Sequence, residues 1–332
     1  MTSPESQAKT LHDAACLAQQ STYRDPTTGL RVFTAYGHQV RGYCCGSNCR
    51  HCPYDHQNVV VTAPSLQART KAPRGSRVIS LCPSITETVF ALGEGHRLVG
   101  RTRYCVEPSQ EVSRLPEVGG TKAIRWRVLK DLQPDLILAN QEENRREDIE
   151  QLRRMGIPVA VFFPKDLQST ANYIRDLATL LGTEARGEAM ASELEGMLIP
   201  SPVLSLSVAY LIWRNPWMVA GGDTFIHSIL EAGGLSNVFP ETEEMYPVVT
   251  AEDLKEANPD LILLSSEPFP FEQNHRTELS KATGIPEERF QFVDGQLLSW
   301  HGVRTLDGIR YARSLGQTPL GVLCPKGSRR SD

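Results

Sequence analysis

The chain has 332 residues, 40 % of them apolar and 22 % charged, which suits two or three folded units and excludes a globally disordered chain. Lys and Arg number 35 against 39 Asp and Glu, a formal net charge of −4. A dedicated nucleic-acid binder needs a basic surface to displace phosphate counterions, so that class is excluded as well. No run of the sequence approaches the roughly 18 apolar residues of a membrane span.

Residues 1–20 carry neither the basic start nor the apolar stretch of a secretory signal, so the expectation is a cytoplasmic protein. Residues 1–62 read as a small Cys-rich module. Four of the eight cysteines, Cys44, Cys45, Cys49 and Cys52, fall within Arg41-Gly-Tyr-Cys-Cys-Gly-Ser-Asn-Cys-Arg-His-Cys-Pro-Tyr54. In a reducing compartment such a cluster reads as metal ligation, with zinc and an iron–sulfur cluster both open and buried free thiols the plainer alternative. The spacing of Cys45, Cys49 and Cys52 also equals that of radical S-adenosylmethionine enzymes. Those need a barrel of repeated βα units, and none follows. An enzyme or metal-transfer protein using the cluster stays the competing class.

Residues 63–76 form a basic, Pro-containing linker: Ala63 to Arg77 holds four basic residues, two prolines and no acid. Residues 77–165 then change texture. Val78-Ile-Ser-Leu81 reads as a buried strand, followed by a helix from Ser84 to Leu92 with Ser84 as N-cap, Glu87 at the capping-box position and Gly93 as the stop.

An internal repeat follows. Lys130-Asp-Leu-Gln-Pro-Asp-Leu-Ile-Leu-Ala-Asn140 returns as Lys255-Glu-Ala-Asn-Pro-Asp-Leu-Ile-Leu-Leu-Ser265, with six of eleven positions identical. Gly156-Ile-Pro158 returns as Gly284-Ile-Pro286, and the strand and helix at 78–92 find a counterpart in Met218–Leu230. Three matches in order predict two similar lobes, the second over residues 199–320 with a tail at 321–332. Residues 166–198 read as helical throughout, long enough to bridge them. The fold class is therefore α/β: two similar parallel-sheet lobes joined by a single long helix, with a cleft at the strand ends.

Those strand ends carry the candidate ligand-binding residues: Pro83 and Ser84, then Arg103, Tyr104 and Cys105, then Glu142, Glu143 and Asn144. The second lobe supplies Trp213, Trp217, Tyr246, Trp300 and His301. Aromatic walls with a few polar groups suit a large, flat, partly apolar ligand. Ser84, His301 and Asp223 could make a triad on paper, but no nucleophile elbow surrounds Ser84.

Residues 77–320 resemble the helical-backbone (class III) periplasmic receptors for cobalamin and iron chelates, substrate-binding proteins of ABC importers. The resemblance rests on Val78-Ile-Ser-Leu-Cys-Pro-Ser-Ile-Thr-Glu-Thr88, Val118-Gly-Gly-Thr121, both Pro-Asp-Leu-Ile-Leu strands, and Gly234 through Phe239. It implies a rigid interlobe helix and a cobalamin, other corrinoid or related metal chelate as ligand. It also implies that Tyr246-Pro247 stands where cobalamin receptors place a corrin-lining Trp-Pro, with Trp300 a second aromatic. Such receptors dock on a permease through one glutamate per lobe. Glu252 fills one of those positions here and Arg127 the other, so such docking is not expected. The Cys-rich segment resembles a short uncharacterised family marked by Arg-Gly-x-Cys-Cys-Gly and Cys-Arg-His-Cys-Pro. The expectation is thus a monomeric cytosolic chelate-binding protein, not an enzyme, with a small metal-binding module attached; an importer component is the further alternative.

Overall fold

The structure, a computed structural model, describes residues 4–27, 29–42, 49–54, 72–73, 75–197, 206–242 and 244–317. The expected linker (apart from residues 72, 73, 75 and 76), the tail, and Cys44 and Cys45 lie outside the described residues.

The N-terminal segment is a helix, a two-stranded ribbon and a short helix: α1 (Pro4–Leu17), β1 (Thr22–Arg24), β2 (Arg31–Phe33) and α2 (Ala35–Arg41). Thr34 caps α2 by accepting from the Gly37 amide at 3.0 Å, and Gly42 ends it at a φ of 84°. A small apolar cluster of Ala8, Ala15, Tyr23 and Val32 holds α1 on the ribbon.

Lobe 1 runs β3 (Val78–Ser80), α3 (Pro83–Ala91), β4 (Leu98–Arg101), α4 (Ser109–Val112), the hairpin β5 (Gly119–Gly120) and β6 (Ala123–Ile124), α5 (Trp126–Asp131), β7 (Leu136–Asn140), α6 (Arg146–Arg154) and β8 (Val159–Phe162). Its four-stranded sheet has the order β4-β3-β7-β8, all parallel. The Gly119-Gly120 turn admits no side chain at Gly119: φ is 110° and a Cβ would stand 2.2 Å from the Ala123 carbonyl oxygen.

Lobe 2 runs β9 (Leu206–Trp213), β10 (Met218–Val219), α9 (Phe225–Ala232), β11 (Leu235–Asn237), α10 (Ala251–Ala257), β12 (Leu261–Ser265), α11 (Gln273–Thr283), β13 (Phe290–Val293), α12 (Gly295–Ser299) and α13 (Thr305–Gln317). Here β12 lies between β9 and β13, with β11 also on β9. The repeated Leu-Ile-Leu segments are thus interior strands of both sheets, β7 and β12, with all five residues of each buried. Burial on both faces is why they are continuous apolar runs rather than alternating ones. The counterpart of β3 is β9, not Met218–Val219. The latter pairs antiparallel with β9 as a short return strand.

The connector differs from the expected single helix. The α/β class and both lobes stand, but the connector folds as two helices, α7 (Leu167–Leu181) and α8 (Glu184–Gly196). Gly182, at a φ of 80°, breaks them with a left-handed C-cap. The pair is antiparallel: Arg175 reaches both Glu188 and Glu195, and Gln168 donates to Glu195 at 3.0 Å. Gly187 lets the helices close, since a Cβ there would sit 2.2 Å from that of Ala178. One apolar cluster passes from Val78 and Leu138 through Leu177 and Ala191 to Tyr210 and Leu263, so both lobes and the hairpin share a core.

The start of α3 is also shifted from expectation. Cys82 is the N-cap and Pro83 opens the helix, which places Ser84 inside the first turn. Proline's fixed φ suits the first helical position, and that preference outweighs the serine-plus-glutamate pattern one residue on.

Candidate functional site

The interlobe junction is built at the C-terminal ends of β3 and β7 and in the loop between α12 and α13. His301, 7 % exposed, comes from that loop. Its Nε2 lies 3.1 Å from Ser84 Oγ and 3.0 Å from Asn140 Nδ2. Asn140 Oδ1 accepts from the amides of Glu142 at 2.8 Å and Glu143 at 3.2 Å, which fixes the amide orientation and leaves Nδ2 as donor toward the histidine. Nε2 is therefore the acceptor and the ring proton sits on Nδ1, which is buried with no partner among the described residues. Burial pushes the His301 pKa down to about 3, so the ring is neutral across the physiological range.

This arrangement is a strut between lobes, not a nucleophile with its base. Among the described residues no carboxylate takes Nδ1–H, and Asp223, the third member of the paper triad, instead pairs with Lys165. Tyr173 and Phe225 pack edge-on against the ring at 5.2 and 6.2 Å. Nearby, Arg304 makes a two-pronged 2.8 Å contact with Glu87, and the Val303 amide donates to Thr88 Oγ1 at 3.2 Å.

A second contact between the lobes is made by Tyr246 of lobe 2, which donates its hydroxyl to Glu142 Oε1 of lobe 1 at 3.2 Å. Burial first, and the neighbouring Glu143 charge second, push the Glu142 pKa up to about 7. Glu267 is likewise raised by burial; it accepts from Trp300 Nε1 at 2.6 Å and Ser299 Oγ at 3.0 Å. Arg304 lies 4.9 Å over the Trp300 ring. Tyr246 and Glu142 thus join the two lobes, and Trp300 and Glu267 pair within lobe 2. Glu267 is not among the candidate ligand residues read from the sequence; the signal that points to it is its place just after the repeated strand β12.

The other candidates fall in different places. Pro83 is buried at the head of α3. Asn144, 3 % exposed, is a loop tie: its amide donates to the Leu81 and Thr121 carbonyls. Cys105 is buried and accepts from Thr86 Oγ1 at 3.0 Å, with Thr102 Oγ1 3.2 Å away. Arg103 stands 3.8 Å from Glu117, and Tyr104 is 53 % exposed. Trp213 and Trp217 sit in the β9–β10 turn against Phe269 and Phe271, on the side of lobe 2 that meets the N-terminal segment.

Of the cysteine cluster, Cys49 and Cys52 are half-buried and joined by a turn hydrogen bond from the Cys52 amide to the Cys49 carbonyl at 3.2 Å. Arg50 between them reaches Asp25 and Tyr23, and His51 stacks on His12 at 3.8 Å. Among the described residues no group of three or more His, Cys, Asp or Glu is placed to hold a metal ion.

Comparison with known proteins matches residues 78–285 to the family described as periplasmic binding protein, and residues 11–58 to a family of unknown function, DUF5522. A vitamin B12-binding protein of Pectobacterium carotovorum is 28 % identical over 199 residues, covering 58 % of this chain and 72 % of the relative. One from Vibrio parahaemolyticus is 26 % identical over 194 residues, covering 57 % and 70 %. Among solved structures, the periplasmic vitamin B12-binding protein of Vibrio cholerae superposes with a TM-score of 0.63 at 22 % identity, over 74 % of this chain and 98 % of that one. A periplasmic heme-binding protein of Roseiflexus does so with a TM-score of 0.63 at 24 % identity, over 73 % and 97 %. At these identities the structural likeness is one of fold. The expectation of a cytoplasmic protein is overturned: the matched family and these structures are periplasmic binding proteins. Among the described residues no helix is long and apolar enough to cross a membrane.

Proposed function

The chain belongs to the periplasmic binding protein family, a family of binding proteins rather than enzymes, and on that premise we propose that it holds a corrinoid or a related planar metal chelate between its lobes. The observation that carries this reading is the facing pair Tyr246 and Glu142 between the lobes; Trp300, held by Glu267, supplies a second aromatic from lobe 2. Aromatic faces supply flat apolar contact, and the carboxyl oxygens accept from amide N–H groups such as those around a corrin ring. A ligand entering there replaces the Tyr246–Glu142 hydrogen bond, a modest loss because the freed groups regain water or ligand partners.

Cyanocobalamin titrated into the full chain is expected to quench tryptophan fluorescence saturably. Tyr246→Ala and Trp300→Ala should each weaken binding by about thirtyfold, the loss of a roughly 2 kcal/mol aromatic anchor, with circular dichroism nearly unchanged. Absence of any saturable signal in the parent protein with cyanocobalamin or hemin sinks the reading.

Docking on a permease through paired glutamates is not part of this proposal. Glu252 is exposed in the first turn of α10, but Arg127 is exposed in the first turn of α5. A permease surface that receives a carboxylate at both points would meet a guanidinium at one of them.

A further inference from the structure

A second concavity lies outside the interlobe junction, where the N-terminal ribbon meets lobe 2. Arg31 of β2 pairs as an antiparallel bridge with Val248, and Val248 pairs in the same sense with Met218 of β10. The ribbon thereby extends the lobe-2 sheet. Arg24 Nη2 fastens it through a 2.8 Å bond to Asp253 Oδ1, whose side chain is only 4 % exposed.

Beside this join opens a groove of about 640 Å³, within the usual size of small-molecule sites. An adjoining recess of about 490 Å³ shares Ser21, Thr22 and Arg31 with it. Phe33 and Arg41 line the groove from the N-terminal side, Trp213, Trp217 and Met218 from lobe 2, and Arg31 lies at the join. Trp213 is 41 % exposed, a large apolar surface left in water.

Among the described residues the cations of the groove have no counter-charges. Arg41 lies 5.1 Å over the Phe33 ring, and Arg31 Nη1 reaches only the neutral Thr22 hydroxyl at 3.3 Å. Arg31 Nε is buried with no hydrogen-bond partner. Among the described residues neither guanidinium pairs with a carboxylate. A guanidinium N–H that has lost water without gaining an acceptor favours an anion at that point. Aromatic surface and unpaired guanidinium groups in one groove define a ligand by both shape and charge.

We infer that this groove binds a flat conjugated molecule carrying a phosphate or carboxylate, its rings against Trp213, Trp217 and Phe33 and its anionic group on Arg31 and Arg41. None of Tyr246, Glu142, Trp300 and Glu267 lines it. The N-terminal segment is then one wall of a receptor site that neither part of the chain makes alone.

The test uses the full chain and two pairs of probes that differ in charge: flavin mononucleotide against riboflavin, and protoporphyrin IX against its dimethyl ester. Tryptophan quenching is followed at low ionic strength, where charge contributes most. The expected result is saturable binding of at least one anionic probe, at least about tenfold tighter than its uncharged counterpart. The phosphate pair and the carboxylate pair distinguish the two anion sources. Trp213→Ala and Arg41→Gln should each weaken that binding about tenfold or more, while Trp300→Ala leaves it within about twofold. Equal binding of charged and uncharged probes overturns the inference. So does saturation by neither anion, or binding that survives Trp213→Ala and Arg41→Gln but is lost in Trp300→Ala.

Discussion

A His301→Ala variant should lose about 3 kcal/mol of folding stability at pH 7, measured by urea denaturation. The ring is buried between Tyr173 and Phe225, and its Nε2 accepts from Ser84 and Asn140. Truncation leaves a cavity and two buried donors without an acceptor. The same variant should change the acid response. In the folded protein burial holds the His301 pKa near 3, whereas an unfolded histidine titrates near its ordinary value. The unfolded chain therefore binds the extra proton first as pH falls. The neutral ring's contribution is complete above about pH 6.5 and is lost between there and pH 3, on the order of 5 kcal/mol in total.

Glu142→Gln should tilt the pH profile the other way. The Glu142 pKa is raised to about 7, so between the ordinary carboxyl range and pH 7 the folded protein holds a proton that the unfolded chain has released. Stability from this group is present in acid and is lost as pH rises through 7. The residue is half-buried and keeps some solvent contact, so the cost at pH 8 is taken as about 2 kcal/mol. Glutamine preserves an oxygen for the Tyr246 hydroxyl and carries no charge. The variant should match the parent near pH 4 and exceed it by about 2 kcal/mol at pH 8. In the parent the two titrations oppose each other between about pH 4.5 and 6.5 and give a near-plateau. With His301 replaced, stability should fall across that window; with Glu142 replaced, it should rise. Thermal midpoints of the three proteins over pH 4 to 8 provide the measurement, and parallel curves would refute both assignments.

What the sequence discloses here depends on how local the cause is. The Pro-Asp-Leu-Ile-Leu segments announce interior strands because five successive buried residues need no partner information to be recognised. Gly182 was equally legible as a helix stop, with Thr183 and Glu184 ready to begin the next helix; reading the strong helix formers on either side as one run obscured it. The His301 strut was less accessible. Its partners Ser84 and Asn140 are 217 and 161 residues away, and no periodicity links such positions. The tryptophans of the β9–β10 turn were visible as aromatic walls, but their second wall was not. It depends on a one-residue bridge from Arg31 to Val248 that leaves no pattern in either segment.

That bridge also changes what lobe 2 presents to its surroundings. The Pro247–Val249 segment hydrogen-bonds to the Trp217–Val219 stretch on one side, and at Val248 the N-terminal ribbon covers the other. Without the ribbon, this stretch of backbone would be an open rim able to accept a strand from another molecule. The ribbon strands β1 and β2 therefore cover a flank that lobe 2, freed of them, would present as an adhesive one.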